Sequence, residues 1–184
     1  PDGIDACMKF AKDIVEKKLF DVRNVVVCIL PVYNVDGALN RGCCSRANQN
    51  GPEDYGFRGN GRNLDLNRDF IKCDSRNALA FEKIFTLWKP DVFVDTHVSD
   101  GADYQYVMAL IATQRNKINP VLGNYMDKTM VTSLYKDMEK GGFAMSPSVD
   151  SYKETQDAGI AGFLESPAFS TALSTLSNPF GLVP

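Results

Sequence analysis

Amphipathic helical segments alternate with short apolar runs along this chain, and the alternation constrains its fold more than any other sequence feature. The helical segments cover residues 3–18, 75–90, 119–142 and, after a turn, part of 157–178, and the apolar runs cover residues 24–34, 91–97, 104–113 and 180–184. Helices interleaved with strands bury their apolar stripes on the faces of a sheet. We therefore predict an α/β fold, with a mixed, mostly parallel sheet between helices in a three-layer sandwich, and a single domain over residues 1–184.

Three of these segments predict buried positions. The run over residues 24–34 is rich in valine and isoleucine, which is typical of a strand covered on both faces. Cys7 and Cys28 lie in apolar segments and are expected to be buried thiols. A methionine-rich stripe at helical spacing in residues 119–142 predicts core packing rather than a cofactor contact.

Charge and hydropathy exclude some functions. The formal net charge of -3 argues against a general nucleic-acid binder, because binding to phosphate backbones needs a positive field. No apolar run approaches the roughly 20 residues of a membrane-spanning helix. Five arginines nevertheless cluster between residues 41 and 68, which indicates local binding of an anion.

The arginine-rich stretch, residues 35–66, shows little periodicity and is predicted to be a long loop, which in a compact domain is usually functional. Asn67 and Arg68 follow it, and an amide beside a guanidinium suits bidentate capture of a carboxylate. A simpler alternative is an ion pair of Arg68 with a neighbouring aspartate. Arg41 and Arg46 are candidates to polarise a carbonyl group, and the alternative is scattered surface charge.

His97 is the only histidine of the chain, and it ends the apolar run 91–97. Ligands of open α/β sheets gather at the carboxyl ends of the strands, which makes His97 a candidate functional residue. The alternative is an ordinary histidine on the surface or in the core. Asp95, two residues earlier, is not expected to contact the imidazole.

The motifs taken in order resemble those of the zinc carboxypeptidase family, most closely its bacterial members. The resemblance is carried by NVDGALNR, RANQNGP, YGFRGN, DLNRDF and DTH, and it is densest from Pro31 to Gln105. It implies that His97 is the third Zn²⁺ ligand and that Asn67 and Arg68 bind the C-terminal carboxylate of a peptide. It also implies that Arg46, or alternatively Arg41, polarises the scissile carbonyl.

The same resemblance implies where the rest of the site lies. In the family a His-x-x-Glu motif supplies the other two zinc ligands, and its expected place is immediately before Pro1. The catalytic glutamate is expected just after Pro184, so the chain is expected to be a partial peptidase domain that is inactive alone. Glu165 is assigned to the substrate-side segment rather than to the general base. The family usually has serine where this chain has Val98.

The implied function is zinc-dependent hydrolysis of the C-terminal residue of a peptide or protein by metal-activated water. Two other functions stay open: an amidase or deacylase on the same scaffold, and a non-catalytic module that binds carboxylates. A nucleotide-binding domain is disfavoured, because no glycine-rich phosphate loop follows the first apolar run. Relatives of this kind are often exported, which favours a periplasmic or extracellular location.

Overall fold

The computed structural model describes residues 2–17, 21–46, 49, 51–98, 104–150, 161–162, 166, 169–170 and 180–184. The chain divides into two compact units: a first unit of Pro1–Leu66 with Val98–Gly101, and a second unit of Asn67–His97 with Ala102–Pro184. The predicted helix within residues 157–178 and Glu165 lie largely or wholly outside the described residues. None of the described helices is long and apolar enough to span a membrane.

The first unit contains two helices and an irregular loop. Helix α1 covers Asp2–Lys12 and continues as a π-helical turn over Asp13–Lys17, and helix α2 covers Val35–Leu39. The amphipathic pattern at the start of the chain therefore predicted a helix correctly. The described residues of the predicted loop over 35–66 are also largely irregular, except for α2 at its beginning and a 3-10 turn that starts at its last residue.

The loop is organised by polar side chains at its start. Asn34 caps α2 by accepting the N–H of Gly37 at 2.9 Å, and it donates to the carbonyl of Arg58 at 2.9 Å. Asp36 accepts the N–H of Gly61 at 2.9 Å. Any Cβ at Gly37 would clash with the backbone oxygen of Phe57, so this turn requires glycine. The loop thus folds back on α2 through side-chain hydrogen bonds.

The strand predicted over residues 24–34 is wrong. These residues, all of them described, contain no strand, and Val26 is 76% exposed. Cys28 is likewise exposed rather than buried, and Cys7 is half-buried. Branched side chains favour extended backbone, but a strand also needs a neighbour that pairs with its N–H and C=O groups. The composition of this run does not predict whether such a neighbouring strand is present.

The second unit is built on a four-stranded sheet of order β1-β6-β2-β3. Its strands are β1 (Val92–Val94), β2 (Met108–Ala112), β3 (Met145–Pro147) and β6 (Phe180–Val183). The β1–β6 and β2–β3 pairs are parallel, whereas β2–β6 is antiparallel. Strands β4 (Val149–Asp150) and β5 (Ala161–Gly162) form a separate antiparallel pair. A mixed, mostly parallel sheet is what the alternation of helices and apolar runs predicted.

Helices cover the two faces of this sheet. Helix α3 (Arg76–Trp88) packs against β1 through rings, with the centroids of Phe81 and Phe85 each 5.7 Å from that of Phe93. Successive strand residues face opposite sides, so Leu182, the partner of Val94 in register, faces away from α3. Leu182 packs instead in the core formed by the helices after β2. This arrangement confirms the predicted α/β fold in an incomplete form.

Those helices run from α4 (Pro120–Tyr125) through a π-helical stretch (Met126–Val131) to α5 (Thr132–Lys140). Met126 is 0% exposed and lies in one cluster with Leu110 and Leu182. The other members of the predicted stripe, Met130, Leu134 and Met138, pack against the same cluster. The prediction that the methionine stripe belongs to the core is confirmed.

Met126→Ala is expected to lower the free energy of unfolding by about 2–5 kcal/mol, because it removes a fully buried side chain and leaves a cavity. Chemical denaturation followed by circular dichroism measures the loss. Met8→Ala is the matched control, since Met8 lies on helix α1 with 57% of its surface exposed. Equal effects of the two substitutions would show that the core does not depend on Met126.

Candidate functional site

His97 lies just beyond the carboxyl end of β1 and is held there by the backbone. The N–H of Asp95 donates to the carbonyl of Leu182 at 2.9 Å, and the N–H of His97 donates to the carbonyl of Pro184 at 3.3 Å. Pairing between β1 and β6 therefore continues past the last strand residue. The side chain of His97 is 38% exposed, so the ring lies at the surface rather than in the hydrophobic interior.

The imidazole contacts Asp95, which corrects the expectation from sequence. Nε2 of His97 lies 3.0 Å from Oδ2 of Asp95. Side chains two residues apart on an extended backbone point to the same side, and this alternation explains the contact. A carboxylate only accepts hydrogen bonds, so an ionised Asp95 requires the proton on Nε2. The pair thus fixes the orientation of the ring.

The same carboxylate oxygen has a second donor from a distant part of the chain. Oγ of Ser170 donates to Oδ2 of Asp95 at 2.5 Å, and Ser170 is buried with 3% exposure. Phe169, the preceding residue, donates its N–H to the carbonyl of Ser166 at 3.0 Å. Phe169 and Ser170 thus bring an aromatic ring and a serine hydroxyl side by side at the end of β1.

The guanidinium of Arg68 stacks on that ring. Its central carbon lies 4.3 Å from the centroid of Phe169, within the range of a cation–π contact. A continuous series of contacts therefore runs from Arg68 through Phe169 and Ser170 to Asp95 and His97, entirely within the second unit. Arg68 and His97, both singled out by sequence, are thus linked through this series of contacts.

Asn67 and Arg68 share a one-turn 3-10 helix, Leu66–Arg68, and Arg68 donates to the carbonyl of Asn67 at 2.8 Å. Neighbouring acids have strong partners of their own. Asp65 pairs with Arg58 at 2.9 Å, and Asp69 accepts two backbone N–H groups. The contacts seen for Arg68 are thus with an aromatic ring and a carbonyl, and its side chain is exposed.

Asp69 fixes the chain directly after this turn. Its two oxygens accept the N–H groups of Asp74 at 2.8 Å and Ser75 at 2.9 Å, and Ser75 is the N-cap of α3. Burial raises the pKa of Asp69, but hydrogen bonds from Ser75 and from these N–H groups, together with the charge of Lys72, outweigh it. The pKa consequently lies below its usual value. The turn that carries Arg68 is anchored to the start of α3.

Arg41 and Arg46, the candidates for polarising a carbonyl, both belong to the first unit. The guanidinium of Arg41 donates to the carbonyl of Asp54 at 3.0 Å, and the backbone N–H of Arg46 donates to the hydroxyl of Tyr55 at 3.1 Å. Arg41 also lines a groove of about 360 Å³. These contacts order both residues without favouring either for the role.

The described residues do not by themselves make a complete zinc site. Among the parts of the chain that the structure describes, no group of three or more histidine, cysteine, aspartate or glutamate side chains is placed to hold a metal ion. A catalytic zinc needs three protein ligands. His97, with its carboxylate partner, is suited to be one of them.

Three residues of the site were missed from sequence. The spacing of Asp95 from His97 was a usable signal, because alternation along a strand places them on one side. Phe169 and Ser170 gave no signal, since they lie far from β1 along the chain and meet it only in the fold.

Searches of protein-family models, curated proteins and solved structures found no match to this chain.

Asp69→Asn is expected to lower the free energy of unfolding by about 1–3 kcal/mol at pH 7, because one backbone N–H then faces an amide donor. The folded-state pKa of Asp69 is lowered, so its stabilisation is complete above the unfolded value of about 3.9 and is lost as the pH falls through the folded value. The difference from the wild type should therefore be constant between pH 7 and pH 5 and shrink below about pH 4.

Denaturation curves at several pH values test this prediction. Asp74→Asn is the control, since Asp74 is exposed and its ion pair with Lys72 lies on the surface, where solvent screens the interaction. An Asp69→Asn effect that grows on acidification would contradict the assigned hydrogen bonds.

Proposed function

We propose that this chain belongs to a zinc-dependent carboxypeptidase domain that removes the C-terminal residue of a peptide or protein. The observation that carries the proposal is the contact series from Arg68 to His97. It joins Arg68, the proposed carboxylate-binding group, to His97, the candidate metal ligand at the carboxyl end of β1. An enzyme that cuts at a chain end needs both groups in one site, one to hold the free carboxylate and one beside the reacting carbonyl.

His97 is proposed as one of the zinc ligands. Ligating imidazoles almost always donate their second ring N–H to a carboxylate or carbonyl, which sets the tautomer and the direction of the ring. Asp95 is placed for that task at 3.0 Å, and Ser170 holds the carboxylate in turn. When bound, zinc supplies an activated water at neutral pH. The contribution of this chain is an oriented imidazole.

Arg68 and Asn67 are proposed to bind the free C-terminal carboxylate. A guanidinium stacked on Phe169 keeps its N–H donors at the edge of its plane, where a carboxylate accepts two of them in parallel. The stack also limits the motion of a long side chain, so less entropy is lost on binding. Arg46, or alternatively Arg41, is proposed to polarise the scissile carbonyl.

Arg68→Lys in the full-length protein should lower kcat/KM for peptides with a free C-terminus by about 10- to 100-fold, because a lysine cannot make the bidentate contact. Release of the C-terminal amino acid is the measurement. Arg76→Lys is the matched control, since Arg76 is an exposed arginine at the start of α3. If the protein hydrolyses N-acyl amino acids but not peptides, the proposed carboxypeptidase activity is wrong and the protein is a deacylase.

The 184-residue chain is expected to bind zinc poorly, because a catalytic zinc site needs three protein ligands and no such group of histidine, cysteine, aspartate or glutamate side chains is placed to hold a metal ion among the described residues. Metal analysis after dialysis against zinc should give far less than one ion per chain, and His97→Ala should lower even that amount. Bound zinc that is undiminished in His97→Ala would contradict the assignment of His97 as a ligand.

A further inference from the structure

We propose that Cys43 and Cys44 form a redox site: a disulfide between adjacent residues that a dithiol reductant opens. In its reduced form the pair chelates trivalent arsenicals and similar soft electrophiles. The two cysteines are bonded to each other with their Cα atoms 3.7 Å apart. This inference concerns the first unit alone and does not depend on the proposed peptidase activity.

The bond between these cysteines has little value as a structural cross-link. A disulfide stabilises a fold mainly by restricting the unfolded chain, and the effect grows with the length of the loop that it closes. Cys43 and Cys44 have no residue between them, so their bond closes the shortest possible loop. The pair therefore calls for an explanation other than stability.

The pair is exposed and held at both ends. Gly42, just before it, exchanges two backbone hydrogen bonds with Tyr55, each 3.0 Å long. Arg46, just after it, donates its backbone N–H to the hydroxyl of Tyr55 at 3.1 Å. Both cysteines are exposed and line the groove that contains Arg41. Both ends of the pair are therefore held to one tyrosine, while the two cysteines are open to solvent.

The backbone of the oxidised pair is strained. Cys44 has φ of 73°, in the left-handed region that residues other than glycine seldom adopt. Reduction opens the small ring that the disulfide closes between the adjacent cysteines. Cys44 can then leave the left-handed region, which favours reduction. Exposed or strained disulfides are the ones that exchange with external thiols. Arg41 and Arg46 flank the pair in sequence, and positive charge stabilises the thiolate that takes part in exchange.

The exchange proceeds in two steps. A thiolate of the reductant attacks one sulfur of the pair, the bond between Cys43 and Cys44 breaks, and the released thiolate takes a proton. The second thiol of the reductant then attacks the mixed disulfide and releases the other cysteine, so two electrons and two protons pass from the dithiol to the pair.

The reduced pair then binds an arsenoxide. The arsenic exchanges its oxygen for the two sulfurs and one water is released, as expected for soft thiolate ligands.

Differential alkylation of the intact chain tests the proposal without any substitution. Trypsin releases residues 42–46 as a peptide that contains Cys43 and Cys44 and none of the other cysteines. Iodoacetamide should add nothing to this peptide before reduction and two groups after treatment with dithiothreitol. One equivalent of phenylarsine oxide, added to the reduced protein after removal of the reductant, should abolish both additions. Alkylation before reduction, or undiminished alkylation with the arsenical, would overturn the proposal.

A pair of variants separates chelation from ordinary thiol reactivity. Cys43→Ser leaves one sulfur at the site and should lose protection by the arsenical, because a single thiol cannot chelate. Cys28→Ser removes an exposed cysteine elsewhere and should retain full protection of residues 42–46. Protection that survives Cys43→Ser would contradict a two-sulfur site.

Discussion

The structure of the candidate site depends on backbone pairing that continues beyond the ends of two parallel strands. The N–H groups of Asp95 and His97 donate to the carbonyls of Leu182 and Pro184 after β1 has ended. Without this extension the segment after Val94 would be an ordinary loop, and its side chains would have no fixed direction. With it, the aspartate and histidine side chains project from one side of an extended chain.

The rest of the site follows from this constraint. Asp95, once fixed, has an oxygen within reach of both the imidazole and the hydroxyl of Ser170. Phe169 directly precedes Ser170 in the chain and is positioned with it. The guanidinium of Arg68 stacks on the ring of Phe169. The turn that carries Arg68 is anchored separately, through the hydrogen bonds of Asp69 to the start of α3. Two rigid elements, a strand end and a helix start, therefore position the two ends of the site.

Local patterns predicted the elements well and the contacts poorly. The helices α3 and α4–α5 and the strands β1, β2 and β6 follow from periodicity, which records the side of each segment that is buried. The strand predicted over residues 24–34 failed, because pairing depends on a partner that composition does not specify. Local sequence patterns did not identify Phe169 and Ser170 as site residues for the same reason, since their contacts form only where distant segments of the chain meet. The choice between Arg41 and Arg46 also depends on more than local contacts.

The lone histidine makes one measurement especially direct. In the ¹⁵N-labelled protein, every imidazole signal comes from His97. We expect a proton on Nε2 whose signal is observable, because the hydrogen bond to Asp95 slows its exchange with water, and we expect this signal to disappear in Asp95→Ala. A proton found on Nδ1 instead, or an Nε2 proton unaffected by Asp95→Ala, would contradict the claim that Asp95 sets the imidazole at the end of β1.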